Sequence, residues 1–550
     1  MTLGLADRQG DLLDEVKRFC DETLASSSVY SVLHRERDRL FPDEMFADLF
    51  SERGRRSVPP SVVATVMVLQ RLEGLSDREA VDRYSFDARW RYAAGVGGYG
   101  GEGWDQFAHT VLVDMRGRLA ASEDPRRIFR VTVEAASTAG LVGAKRVLDS
   151  TPLYDAVATM DTITLIRSSV RSLLRVAGPE LKTELRGALS SGDDYASSAK
   201  PQIDWDDAEA REALIDSLAR DAMACLALLD GRALSAEVSE AAALVATILG
   251  QDLEETADGT FRIARRVARD RVISTVDPEA RHGHKTSARG FDGYKGHVAI
   301  DPDSEIITDT VVSAGNAGDA SVAEELLDDV LDSEDSVADP DPPADAAAPR
   351  RATEPETADS ADRPIVYGDA AYGTGELLHR LAEEGVESRC KTQPPTAPGG
   401  LWTKESFEVD LETDTVTCPS GVTVPIRRDA QGDGIARFGD ACGPCPLRAL
   451  CTRSEAGRSV QVGRYERHLA EARRKQQDPD WLANYRATRP KVERRLAHMM
   501  RRRHGGRRAR VRGRRKVDAD FNLLGAAQNL ARLAVLGLRS TLAGWAVQAA

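Results

Sequence analysis

No apolar stretch in the 550 residues approaches the roughly 20 needed to span a bilayer. The opening MTLGLADRQGDLLDEVKRF carries acids early and lacks an apolar export segment, so the expectation is a cytoplasmic protein with no membrane partner. Net positive charge is also missing. Lys and Arg number 74 against 88 Asp and Glu, a balance of −14, which excludes a protein that coats nucleic acid over its whole surface. Cysteine is scarce, with seven in the chain, and no fixed-period repeat is present.

The charge that is present is segregated. Residues 326–362 are acidic, whereas 485–516 carry Arg or Lys at nearly every second position and a single acid, Glu493. The length suits several domains, or one domain with large insertions. Residues 1–135 read as all-helical. Val62, Val63, Val66, Leu69 and Leu72 form a helical stripe behind Pro59-Pro60, and Ser76 with Glu79 is a capping pair that opens a second helix. Spacing alone makes this an αα-hairpin. After 140 the pattern changes. A short strand is expected at 144–153, ending in Asp149 before a turn at Pro152. A helical insertion follows at about 155–270. Residues 293–304 and 305–316 read as a hairpin about Asp301-Pro302-Asp303-Ser304, which completes a first segment at 140–332. Residues 333–362 read as an acidic disordered linker. Residues 363–394 give strand, helix and strand, 395–465 a cysteine-bearing insertion, and 466–550 C-terminal helices that end in an amphipathic one at 520–540. The order implies an α/β layout with a mixed sheet.

Asp149 and Asp369 both follow apolar residues, where a strand is expected to leave the sheet, the edge at which ligands collect. Two carboxylates brought together repel and call for cations between them, and Mg²⁺ suits such oxygens with phosphate. As a lone strand-end acid each could equally cap a helix. Glu493 flanks an apolar stripe of Tyr485, Val492, Leu496 and Met499. It fits either a salt bridge to Arg489, four residues earlier, or a metal ligand beside phosphate-binding arginines. Four of the cysteines cluster, as CPSG at 418–421 and CGPCPLRALC at 442–451. Cys418, Cys442, Cys445 and Cys451 make a possible tetrahedral Zn²⁺ set, with reduced thiols in a turn-rich segment as the plainer reading. His282 and His284 lack further ligand spacing.

Several motifs together resemble the bacterial insertion-sequence DDE transposases. They are VLDSTPLYDAVAT around Asp149, KTSARGFDGYKGHVAID at 285–301, VVSAGNAGDAS at 311–321, VYGDAAYGTGE around Asp369, YRATRPKVERRL around Glu493 and the terminal AAQNLARL. The N-terminal PPSVVATVMVLQRLEGLSDREAVDRYSFDARWRYAAG resembles the helical DNA-binding domain found upstream of that core. The resemblance implies an RNase H-like mixed sheet flanked by helices, with an all-α N-terminal domain. It implies Asp149, Asp369 and Glu493 as the catalytic triad that holds Mg²⁺ or Mn²⁺. Tyr485 and Arg489 resemble the family's Tyr–Arg–Glu signature, although its best-known form has two residues between Tyr and Arg where this chain has three. The lysine expected after the glutamate is replaced by Met500, with Arg501 beside it. DNA contacts are accordingly expected from Tyr485, Arg489, Arg501, Arg502 and Arg503. The implied partners are element-end inverted repeats and target DNA, engaged by a homodimer at the nucleoid. The implied chemistry is DNA cleavage and strand transfer. The rival readings are a stand-alone RNase H-like nuclease and a domesticated or inactive DNA-binding relative.

Overall fold

The structure is a computed structural model that describes residues 1–6, 14–97, 106–155, 157–286, 289–331 and 363–547. The segment 333–362, expected to be a linker, lies outside them. The chain opens with helices α1 (Glu15–Thr23), α2 (Val29–Leu40), α3 (Pro60–Glu73), α4 (Asp77–Phe86), α5 (Ala88–Ala94), α6 (Thr110–Ala121) and α7 (Arg127–Thr138). Pro60 sits in the first turn of α3, where its missing N–H costs nothing. Gly74 stops the helix in the left-handed region at φ 69°, and the Ser76–Glu79 capping box then opens α4. Helix α3 is more than a one-sided stripe: every residue from Pro60 to Arg71 is buried.

The main sheet is mixed, as the pattern implies. Its strands are β1 (Lys145–Tyr154), β4 (Arg281–Thr286), β5 (Arg289–Ile300), β6 (Ile307–Ala314), β7 (Ile365–Gly368) and β8 (Glu387–Cys390), in the order β4-β5-β1-β7-β8 with β6 also on β5. Strand β5 pairs antiparallel with β4 through its first half, and with β1 and β6 on opposite edges through its second. Pairs β1–β7 and β7–β8 are parallel. Between β1 and β4 lie α8 (Thr162–Val176), α9 (Pro179–Ala188), α10 (Ala208–Leu229), α11 (Ala236–Asp252) and the small pair β2 (Leu253–Glu255) and β3 (Phe261–Ile263). This helical segment encloses a core of its own, centred on Leu165, Ile166, Leu218 and Val245.

After β6 come α12 (Ala323–Leu326) and α13 (Asp328–Leu331), which pack with α14 (Gly375–Glu383) on one face of the sheet. The cysteine-bearing segment is richer in strands than its turn residues suggest. It forms an antiparallel sheet of β9 (Glu408–Asp410), β10 (Thr415–Thr417), β11 (Thr423–Arg428), β12 (Gly434–Arg437) and β13 (Ser459–Val462), with the short α15 (Arg448–Cys451). Phe407, Val416, Phe438 and Val462 fill its core. The chain then runs through α16 (Glu466–Lys475), α17 (Pro479–Thr488), α18 (Pro490–Met499) and α19 (Arg514–Val535), and finishes in a hairpin of β14 (Leu538–Thr541) and β15 (Gly544–Val547).

Two sequence expectations need correction here. The last helix is not amphipathic: Phe521 through Leu530 are all buried, because α19 is enclosed by β6, α3 and α7. Strand β1 does not end at Asp149 but continues through Pro152 to Tyr154, paired with β5. Proline is tolerated there because β7 accompanies β1 only as far as Val147, so the other side of β1 is open beyond that point.

Candidate active site

That open side of β1 is where the carboxylates meet. Asp149 lies two residues past the last β1–β7 pair, Val147–Tyr367, and Asp369 follows Gly368, the last residue of β7. The parallel pair therefore opens beside both acids even though one of them is within a strand. Glu493 is in the first turn of α18, which packs on β1. All three line one cavity of about 1190 Å³.

Arg489 joins them. It stands between α17 and α18, where Pro490 removes the next backbone donor. Its Nη2 lies 2.8 Å from Asp149 Oδ1 and 3.9 Å from Asp369 Oδ2, and its Nη1 lies 3.6 Å from Glu493 Oε1. One cation thus faces three carboxylates separated by hundreds of residues in sequence. The three differ in exposure: the side chain of Asp149 is 15% exposed, that of Asp369 47% and that of Glu493 64%. Burial lifts the Asp149 carboxyl above its ordinary range, against the opposing pull of Arg489. Burial pulls on Arg489 in the opposite sense, but the charge and hydrogen bond of Asp149 outweigh it and raise its pKa.

A second tier of side chains, which sequence reasoning did not single out, braces the acids from β5. Lys295 Nζ donates to Asp319 Oδ1 at 2.7 Å, and Asp319 Oδ2 accepts from Ser150 Oγ at 2.5 Å. Ser150 N in turn donates to Asp149 Oδ1 at 2.9 Å. Two residues along β5, the fully buried His297 has one ring nitrogen 2.8 Å from Ser313 Oγ and the other 3.0 Å from Tyr372 Oη. Tyr372 belongs to the turn of Asp369, donating its N–H to the Asp369 carbonyl at 3.1 Å. The signal was the alternation Lys295-Gly-His297 in GYKGH, two polar side chains on one face of the strand, just before the apolar run Val298-Ala299-Ile300.

The other expected site residues fall in several places. Tyr485 is buried outside the cavity. Its hydroxyl donates to the Gly368 carbonyl at 3.2 Å, which ties α17 to the residue before Asp369. Arg501, Arg502 and Arg503 are exposed on the turn after α18 and do not line the cavity. Arg507 does, because the backbone there runs alongside the end of β1: Tyr154 N donates to Arg507 O and Ala509 N to Tyr154 O, each at 2.9 Å. His282 pairs with Asp292 at 2.7 Å.

Cys418, Cys442, Cys445 and Cys451 surround one small cavity with Phe407 and Phe438. Cys418 sits in a tight turn in which Gly421, at φ 82°, donates to its carbonyl at 2.8 Å, and Arg458 N donates to Cys442 Sγ at 3.3 Å. Burial raises the Cys451 thiol, against the opposing pull of Arg458 and with a smaller push from the other three thiols. Among the described residues no three His, Cys, Asp or Glu side chains are already arranged to hold a metal ion. At the carboxylates the reason is visible: the Arg489 guanidinium occupies the space between them.

Comparison with known families gives two matches. The model described as a transposase DDE domain matches residues 417–534, which contain the cysteine group, Arg489 and Glu493 but neither Asp149 nor Asp369. The model described as a transposase domain (DUF772) matches residues 10–118, the first five helices and most of the sixth. No curated protein and no solved structure matches the chain. No helix among the described residues is long and apolar enough to cross a membrane.

Proposed function

With both transposase matches in place this chain is one of the insertion-sequence DDE transposases, and we propose that it binds the ends of its element and catalyses divalent-metal-dependent DNA cleavage and strand transfer at Asp149, Asp369 and Glu493. The observation that carries this reading is the convergence of those three remote carboxylates on the single guanidinium of Arg489. The sheet, with parallel strands opening at the acids and helices on its faces, is read as RNase H-like.

The donor set fits a hard divalent cation. It consists of carboxylate oxygens on an open cavity, with three negative charges against one fixed positive charge. Mg²⁺ or Mn²⁺ held there would supply charge neutralisation for the attacking and leaving oxygens of a phosphodiester. The protein's own contribution is placement. Asp149 is fixed within β1 and through Ser150, whereas the more exposed Asp369 and Glu493 have room to adjust. Arg489 keeps the carboxylates from repelling one another in the free chain, and it contacts scissile-strand phosphate when DNA is present. One site serves both hydrolysis at the element end and attack of the freed 3′-OH on target DNA. The N-terminal helices supply end recognition, and two copies, one per element end, form the working complex. The four cysteines, grouped around one small cavity, would hold a structural Zn²⁺ that would tie their small sheet together.

The test uses DNA bordering the gene. Wild-type protein should cleave it and join it to target DNA with Mg²⁺, and Asp149→Asn should bind it without Mg²⁺ but do neither. Cleavage without joining by the wild type would assign a stand-alone nuclease. Full cleavage by Asp149→Asn would refute the site.

A further inference from the structure

The cavity has a wall that the carboxylate chemistry does not use. Apart from Arg489, the cations of the cavity divide into two sets. Lys295 is paired with Asp319, and Lys404 and Arg473 with Glu466. Lys285, Arg289 and Arg507 are exposed, line the same cavity and have no anionic partner among the described residues. They are brought together by topology: Lys285 and Arg289 stand on the paired strands β4 and β5, and Arg507 on the backbone that extends the end of β1.

The same cavity also carries an aromatic ring. Tyr154, the last residue of β1, is 43% exposed and lines the cavity. The buried Phe291 of β5 meets it edge-on at 6.1 Å, and its backbone N–H and carbonyl are both bonded to the one flanking segment, at Arg507 and Ala509. The ring therefore packs on Phe291 along one edge and leaves the rest of its surface open to the cavity that the three unpaired cations also line. Unpaired cations for phosphates with an aromatic face for a base form the combination that binds unpaired nucleic acid, because a base in a duplex has no free face to stack.

We propose that this wall binds a single DNA strand, with a base stacked on Tyr154 and backbone phosphates on Lys285, Arg289 and Arg507, so that DNA beside the scissile phosphate is held unpaired. The inference rests on the transposase reading for its place in the reaction, but its binding chemistry is testable alone. Full-length protein without magnesium is titrated with fluorescein-labelled oligo-dT, and with a blunt duplex of equal length, across a range of NaCl concentrations. Each of Lys285→Ala, Arg289→Ala and Arg507→Ala should reduce the slope of log affinity for oligo-dT against log salt by about 0.7. Tyr154→Ala should weaken oligo-dT binding roughly 5- to 150-fold while duplex affinity holds, and Tyr154→Phe should bind as the wild type does. Equal oligo-dT affinity in wild type and Tyr154→Ala, or equal loss in Tyr154→Phe and Tyr154→Ala, would overturn stacking. Unchanged salt slopes would overturn the phosphate contacts. The same preparations are assayed for Mg²⁺-dependent cleavage of duplex ends. Cleavage without the oligo-dT pattern refutes the wall alone, and the oligo-dT pattern without cleavage refutes the catalytic reading alone.

Discussion

Asp149 and Arg489 make opposite contributions at the scale of single residues. Burial disfavours the charged form of Asp149, so the neutral isostere in Asp149→Asn should leave the melting temperature of the metal-free protein unchanged or raised while abolishing cleavage; differential scanning fluorimetry beside a cleavage assay checks both. Arg489→Ala removes the one cation that faces three carboxylates. Its metal-free melting temperature should fall, and added Mg²⁺ should raise it by more than in the wild type, since the ion then replaces a missing counter-charge. His297 adds a pH dependence. Burial pulls its pKa down from 6.5 to about 4, so as pH falls the unfolded chain takes up the proton first. The sign is therefore a stability present in full above about pH 6.5 and lost progressively toward pH 4. A urea-melt series over that window should show a shallower loss in His297→Gln than in the wild type.

The elements show why part of the site was legible in sequence and part was not. Asp369 could be read because β7 is a short apolar run with its acid immediately after it. Asp149 could be found but not placed, since the end of a parallel pairing depends on where the partner strand stops, and that partner lies more than two hundred residues further on. The stripe through Tyr485, Val492 and Leu496 was legible as helix, although Pro490 divides it into α17 and α18, and that division seats Arg489 among the acids. Lys295 and His297 were hidden because two polar residues inside a strand carry no label for what they face. The small sheet β9–β13 was hidden by its short strands and many turns. Its cysteines carry a prediction of their own. Metal analysis of purified protein should find about one zinc per chain, with Zn–S near 2.3 Å by X-ray absorption. The double change Cys442→Ser, Cys445→Ser should lose the zinc and make the small sheet protease-sensitive. A metal-free protein with all four thiols freely alkylated would leave them as reduced side chains around a cavity.

At the scale of the whole molecule, the N-terminal helices, the main sheet and α19 share one hydrophobic core, whereas α8–α11 enclose another. Buried Arg71 of α3 joins the ends of the chain, donating to the His504 carbonyl at 3.0 Å and pairing with Asp520 of α19 at 3.1 Å. Arg71→Met strands that acid and should cost about 3 kcal/mol. Chemical denaturation should show the loss in a transition shared by the N-terminal helices and the sheet, not in one confined to the first helices. The same enclosure of α19 bears on synthesis. Strands β1 and β7 emerge from the ribosome long before α18 brings Glu493, and the helix that fills the common core comes after that. A chain growing from its N-terminus therefore carries two of its three acids without the third and without the packing that fixes them. On the proposed reading the site closes only when nearly the entire polypeptide exists, so truncated products of an interrupted message would not cleave DNA.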